Sequence, residues 1–274
     1  TTVTITRAWG DVSAAAVTTA TKIRIIGNSN QEGASKRALL STQRAPQFNY
    51  CGIVRDGWSV TNTAKATATY AGTDFDEEGA KQLIEHKKHD ELMFLQGQRK
   101  EDTTGTKPAR ATRGIFQWIT TNSLSVGGAL SETVFDGFLR RSYRYGRKTK
   151  LLLCSPIVAQ AINGFAKDKL RVVDSAKTYG VTVSEYINAG RRVMLAEHNL
   201  MTNDDLNDFD GIAGMAGLVD LSDIEMRYMK GRLTIHNENI QDNDVDGRED
   251  EYLSEIGLQV QLEKVHGEMS GVTG

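Results

Sequence analysis

Between Asp74 and Lys100 the sequence carries the one element whose dimensions constrain everything around it. Thr73 is placed to cap a helix, Asp74, Asp76, Glu77 and Glu78 crowd its positive end, and Arg99 and Lys100 lie near the other. At 1.5 Å per residue such a helix is roughly 40 Å long. That exceeds the width of a small domain, so the rod is expected to lie across a surface or between subunits. Ala80, Leu83, Ile84, Leu92 and Leu95 form a narrow apolar stripe and predict the buried side. The polar run Glu85 to Glu91 reads as a solvated face, with an intersubunit ion-pair strip as the alternative.

The segment before the helix has little from which to build a core. Val3 and Ile5 sit among threonines and Ile23 and Ile25 alternate with Lys22 and Arg24, the pattern of an exposed two-stranded β ribbon; Gly27 to Arg44 is mostly polar. A lone ribbon is marginal in water, so it is expected to rest on the rest of the chain or on a neighbouring molecule. Asn49 to Thr67, with Ile53, Val54, Trp58 and Val60, predicts a better-buried strand with a turn near Asp56 and Gly57.

After the helix, Asp102 to Ala111 reads as a polar linker and Gly114 to Ile119 as a strand or short buried segment. Ser131 is expected to cap a helix carrying Val134, Phe135, Phe138 and Leu139 and ending at Gly146. Lys150 to Cys154 predicts a strand, and Ser155 and Pro156 open a helix with Val158, Ile162 and Phe165. Leu170 to Val173 and Val181 to Ile187 predict strands, and Asn188, Ala189 and Gly190 a hairpin turn into Val193 to Ala196. From Leu218 the chain reads as β, with strands at Ile224 to Met229, Leu233 to Ile235 and Leu253 to Val265 and an acidic loop between the last two.

Composition excludes several classes. With 33 basic against 35 acidic side chains the net charge is -2, and overall charge gives no reason to expect non-specific nucleic-acid binding. Cys51 and Cys154 stand far apart without a CxxC pair, which argues against a disulfide framework or zinc ribbon and for free thiols in a reducing cytoplasm. No apolar run approaches the roughly 20 residues that span a bilayer, and the first residues lack the regions of a signal peptide, so a soluble chain that is not exported is expected. The chain opens on Thr1, which leaves a processed product and an unnumbered leader both open.

Few residues offer chemistry. Asp242, Asp244, Asp246 and Gly247 spell the start of a calcium loop, with Asp250 at its ninth position, but the twelfth is Leu253 and the flanks read as strands; a solvated acidic loop is favoured and the four aspartates stay a weak metal candidate. Asn203 to Asp210 is acidic without the spacing. His86 and His89 are three apart on the long helix with no third ligand, and exposed helix histidines are favoured. Gly211, Gly214 and Gly217 do not fit GxGxxG, so a flexible loop or tight packing is favoured. Arg140, Arg141, Arg144, Arg147, Lys148 and Lys150, interleaved with Tyr143 and Tyr145, form the basic cluster; contact with acidic loops of another subunit is weighed against nucleic acid and a solvated face. Thr1 invites comparison with N-terminal threonine hydrolases, but positions 17 and 33 are Val17 and Gly33 where that chemistry wants an acid and a lysine. No catalytic residue and no cofactor is assigned.

Four segments resemble the major capsid proteins of tailed bacteriophages, built on the shell fold first seen in the Hong Kong phage: RATRGIFQWITTN from Arg110 to Asn122, LRRSYRYGRKTKLLLCSPIVAQAINGF from Leu139 to Phe165, YGVTVSEYINAGRRVMLAEHNLM from Tyr179 to Met201, and the closing strands from Leu233 to Val272. The resemblance implies an α+β fold with an extended β-ribbon loop over 1–46, a peripheral domain over 47–112 with its spine helix at about 74–100, an axial domain over 113–222, and return strands of the peripheral domain over 223–274. The family's N-terminal arm before the extended loop has no counterpart in the numbered residues. It further implies a structural, non-enzymatic protein of the virion that assembles with copies of itself into hexamers and pentamers of an icosahedral head. The other expected partners are portal, scaffolding or decoration proteins and double-stranded DNA, the last by weak non-specific contact; no membrane is involved. Trp9, Arg24, Arg37, Glu85, Lys88, Arg140, Arg141 and Arg144 are the expected contact residues. A threonine hydrolase and a calcium-dependent surface or adhesion module are the alternatives.

Overall fold

The computed structural model describes residues 47–67, 74–165, 170–178, 181–202 and 210–273, together with 13, 16, 27, 30–36, 41, 43 and 46. The chain divides into two units, Thr1–Pro46 and Gln47–Gly274. In the first, Ala34 N–H donates to the Gln31 carbonyl at 3.1 Å and closes a turn at which Gly33 has φ +74°. The expected ribbon, with Trp9, Arg24 and Arg37, lies outside the described residues, as do Thr1 and the Thr73 cap.

The second unit is built from thirteen described strands and six α-helices. In chain order these are β1 (Gly52–Thr61), α1 (Asn62–Ala66), α2 (Asp74–Gln96), β2 (Lys100–Asp102), β3 (Ala109–Ala111), α3 (Ile115–Trp118), β4 (Ser123–Ala129) and α4 (Glu132–Ser142). They continue with β5 (Thr149–Cys154), α5 (Pro156–Phe165), β6 (Leu170–Thr178), β7 (Val181–Asn188), β8 (Arg191–Glu197) and α6 (Asp210–Ala213). The last are β9 (Ala216–Val219), β10 (Ile224–Tyr228), β11 (Ile235–Asn237), β12 (Gly247–Val260) and β13 (Gly267–Thr273).

β12 organises one sheet: β1 pairs along its first ten residues, β10 along its last, and β11 on the β10 side, all antiparallel. A second sheet has the order β4-β13-β9-β5-β8-β7-β6, with parallel pairs β4/β13 and β5/β8 and the rest antiparallel. Phe135, Phe138 and Leu139 of α4 and Val158 and Ile162 of α5 recur at helical spacing and close one core against Leu152, Tyr186, Leu195, Leu218 and Met269 of this sheet. On its other face Ile115, Ile119, Leu151, Ala196 and Val219 meet Leu258 of β12, so the two sheets share an apolar seam.

Several expected elements differ. β1 runs straight through Asp56 and Gly57, because Gly57 pairs with Glu251 in an unbroken ladder. The expected linker is the loop and second strand of a β2/β3 hairpin that begins at Lys100, held by Arg110 Nε to Glu101 at 2.9 Å and Tyr50 Oη to Glu101 at 3.0 Å. The segment after Gly114 is a buried helical turn, not a strand. The strand expected over Leu253 to Val265 ends early: β12 stops at Val260, Leu262 takes a left-handed φ of 49°, and a 3-10 turn over Glu263–Val265 leads into β13.

α2 ends at Gln96, four residues short of Lys100, and the cause is backbone crowding. Gly114 N–H donates to the Gly97 carbonyl at 2.7 Å, and a Cβ on Gly114 would lie 2.7 Å from Gly97 N and 2.8 Å from Gln96 N. Two chain segments cross here without room for a side chain. The inward face of α2 is only partly the expected one: Leu95 is buried and Leu92 packs beside it, as the stripe predicts, but the middle of the helix is turned the other way. Leu83 and Ile84 are exposed, at 36% and 59%, whereas His86 and Asp90 are buried against the β12 sheet beside Phe75 and Leu95.

Candidate intersubunit surfaces

The middle of α2 rests on a polar core. His86 Nδ1 lies 2.6 Å from Asp56 Oδ2 and its Nε2 2.7 Å from Ser254 Oγ; the Ser254 hydroxyl donates to Asp90 Oδ2 at 3.2 Å. Burial of both His86 nitrogens is tolerable because partners from β1 and β12 meet them, while Asp90 Oδ1 is buried without a hydrogen-bond partner. Beside it the Trp58 indole stacks on Tyr252 at 4.8 Å and His236 at 5.3 Å, with Gly79 of α2 pressed on its ring. The Ser254–His86–Asp56 order repeats the hydrogen bonds of a hydrolase relay, but Ser254 and His86 are both 0% exposed and the hydroxyl is shared with Asp90 and Thr234. The arrangement is structural. It corrects the expectation that His86 is exposed; His89 is on the surface, 3.1 Å from Asp56 Oδ1.

With its polar residues turned inward, α2 presents Leu83, Ile84, Glu85 and Lys88 outward. Lys88 Nζ and Glu85 Oε1 pair at 2.6 Å within the helix. Each charge is therefore already paired within the chain, and such surface pairs are worth about 0.3–0.5 kcal/mol. A shallow groove beside the helix, lined by Phe94, Met226, Leu233 and Ile256, adds to an apolar strip on this side.

The basic cluster splits. Arg140, Arg141, Arg144, Arg147 and Lys148 are exposed, while Lys150 is 2% exposed and belongs to the interior. Its ammonium donates to the carbonyls of Ser142 at 2.8 Å, Tyr145 at 3.0 Å and Val265 at 2.5 Å, and lies 4.8 Å from the Tyr143 ring centroid. One cation thus ties the end of α4, the turn after it and the turn between β12 and β13. Burial pulls it down to about 8. Gly146 is fixed by the same clamp: its φ is +85°, and an added Cβ would strike Val265. The helix ends at Ser142, earlier than Gly146, because the residues between form this turn.

The β12–β13 turn is braced from the other side. Glu263 accepts from Thr120 N–H at 2.8 Å and Thr121 N–H at 2.6 Å, Asn122 donates to the carbonyls of Lys264 and His266 at 2.8 Å each, and buried His266 takes the Asp220 N–H on Nδ1 at 3.3 Å and donates from Nε2 to the Gln261 carbonyl at 3.1 Å. Burial pushes the His266 imidazole below its ordinary value. On this rigid frame stands Leu262, 69% exposed, over a depression of about 620 Å³ shared with Tyr145 and Gly146.

The weak metal candidate does not assemble. Asp242, Asp244 and Asp246 are exposed on the loop before β12, but Asp250 is 0% exposed within the strand and is taken up by Arg248 at 2.8 and 3.0 Å, His236 at 3.0 Å and Asn239 N–H at 2.9 Å. Among the described residues no three His, Cys, Asp or Glu side chains are placed to hold a metal. Gly214 and Gly217 serve close packing, against the Val272 backbone and the Phe116 ring. Sequence reasoning missed Lys150 as a clamp and Leu262 as an exposed anchor. Lys150 alternates with buried Leu152 and Cys154, which is the signal that it points inward.

The comparisons with known proteins agree with this architecture. The model of the SU10 major capsid protein family matches residues 1–273. The major capsid protein of Pseudomonas phage PaMx41 is 24% identical over 244 residues, covering 84% of this chain; the chain spans 57% of that relative's length. Among solved structures, Mycobacterium phage Patience aligns with a TM-score of 0.55 at 10% identity over 89% of this chain and 78% of that one. The holo-SrpI encapsulin complex of Synechococcus elongatus PCC 7942 aligns at 0.53 and 11% over 81% and 74%, and the satellite phage P4 procapsid at 0.51 and 10% over 94% and 82%. At such identities the structures speak for the fold alone, and they bear out the α+β shell fold. The family match over nearly the whole sequence carries the rest: the chain belongs to the SU10 major capsid protein family, a family of structural proteins and not of enzymes.

Proposed function

We propose that the chain is the wall-forming subunit of a phage head, which assembles with copies of itself as hexamers and pentamers of an icosahedral shell around double-stranded DNA. The observation that carries this reading is the family match over residues 1–273. In this reading residues 1–46 are the extended loop, 47–112 the peripheral domain with α2 as its spine, 113–222 the axial domain and 223–274 the strands that return to the peripheral sheet. The mechanism is geometric: area buried between neighbours stabilises the shell, and charged side chains set register while allowing the two packings of five and six. Leu83, Ile84, Glu85 and Lys88 on the spine, and Arg140, Arg141 and Arg144 beside α4, are the described contact candidates; Trp9, Arg24 and Arg37 are those of the loop. Portal, scaffolding or decoration proteins complete the partners.

Negative-stain microscopy of the purified full chain tests the reading. Closed shells with five- and six-fold clusters are expected, and a preparation of uniform small particles contradicts it.

A further inference from the structure

Two features of the second unit are complementary and cannot meet within one molecule. The first is the apolar depression beneath Leu262, with Tyr145 48% exposed at its edge and the Arg144 guanidinium 5.4 Å from that ring centroid. Exposed Lys264 lines it, and Arg144, Arg147 and Lys148 are exposed on the turn that also carries its lining residues Tyr145 and Gly146. None of these four makes an ion pair among the described residues, and the nearby carboxylates of Glu263 and Asp220 are occupied by backbone N–H groups and hydroxyls. The second is the loop before β12, where a turn closed by Val245 N–H to the Asp242 carbonyl at 3.1 Å sets Val245, 46% exposed, among Asp242, Asp244 and Asp246. Arg248, the nearest cation, is already paired with Asp250 and Glu238.

The two stand at opposite ends of β12. Its 14 residues at about 3.3 Å each separate them by roughly 45 Å. Neither can satisfy the other in the same copy. Complementary patches at the two ends of a rigid element make a head-to-tail contact between copies, the kind that closes into rings.

We propose that the depression around Leu262 receives the 242–246 loop of a second copy of this chain, with Val245 seated against Leu262 and Tyr145 and the loop aspartates on Arg144, Arg147 and Lys148 of the turn. This rests on the shell reading above and names one of its contacts. The apolar floor favours a protein loop over nucleic acid, since a phosphate backbone has no use for Leu262.

The test uses the full chain. In a Cys51→Ser background, which removes the half-buried native thiol and leaves only buried Cys154, Val245→Cys and Leu262→Cys in one chain are expected to give, after assembly and oxidation, a ladder of covalent oligomers on a non-reducing gel, while each single variant gives none beyond a dimer. Arg144→Glu with Lys148→Glu, and separately Asp242→Lys with Asp244→Lys, are each expected to lower the assembled fraction about tenfold, and the four together to regain most of it. Both cysteine positions are exposed, so the cross-link carries the test even if a charge variant fails to fold. Particles that form without a ladder overturn the docking and leave the shell reading standing; a wild-type chain that remains a single molecule overturns both. Reversals at Arg144 and Lys148 that assemble at the wild-type yield but lose binding to a random-sequence DNA duplex also overturn the docking, and assign the patch to nucleic acid.

Discussion

Lys150 shows how a residue in a basic cluster becomes part of a frame. Replacing it with Met leaves three carbonyls facing an apolar chain, an expected loss of about 3 kcal/mol measurable by chemical denaturation. The loss depends on pH with a definite sign. Burial holds the ammonium at about 8 against an ordinary 10.5, so the folded chain releases its proton first as pH rises. Below about 8 both states carry the charge and the folded state bears the whole burial penalty. Between about 8 and 10.5 only the unfolded chain keeps the proton, so the stability difference between wild type and Lys150→Met widens with pH. A difference that is flat or shrinks over this range contradicts a burial penalty that outweighs the ammonium's bonds to the three carbonyls. Against the other sheet, His86→Ala removes the ring that joins Asp56 to Ser254 and leaves a buried cavity between them, an expected cost of about 3 kcal/mol, while His89→Ala, at the surface, stays within about 0.5 kcal/mol in the same denaturation experiment.

At the scale of elements, the crossing of Gly97 and Gly114 predicts that either glycine changed to Ala forces the end of α2 away from α3; a drop of several degrees in melting temperature is expected, against almost none for Gly128→Ala, where a Cβ meets nothing. The same elements show what the sequence made legible. α4 and α5 could be read because their apolar residues keep helical period over two turns, and the β7–β8 hairpin because Ala189 and Gly190 take the positive φ values, 48° and 76°, that its turn needs. The middle of α2 misled as to face, though Leu92 and Leu95 face the core as read. Its inward residues are polar, and their partners Asp56 and Ser254 lie 30 and 168 residues from His86, so no local pattern announces that burial is tolerable. Asp250 misled likewise: loop spacing suggested a ligand, and pairing with Arg248 and His236 makes it a strand residue instead. The proposed contact surfaces were half legible. The exposed arginines of the α4 turn stood out as charge, whereas Leu262 gained meaning only from the turn that lifts it clear of the core.

Across the whole molecule, the described surface retains side chains that a self-sufficient protein has little reason to show, among them Phe48 at 58%, Ile84 at 59% and Leu262 at 69% exposure. Buried between copies, each contributes about 1.5–3 kcal/mol. Ile84→Glu therefore weakens assembly without lowering the melting temperature of the separated chain, a split that light scattering and calorimetry resolve together. The central claim is that the natural partners of these surfaces are copies of the same chain. Sedimentation velocity of the purified full chain over a range of concentrations tests it most directly: the account predicts cooperative conversion to megadalton particles above a threshold concentration, and a single species of one-chain mass at every concentration would contradict it.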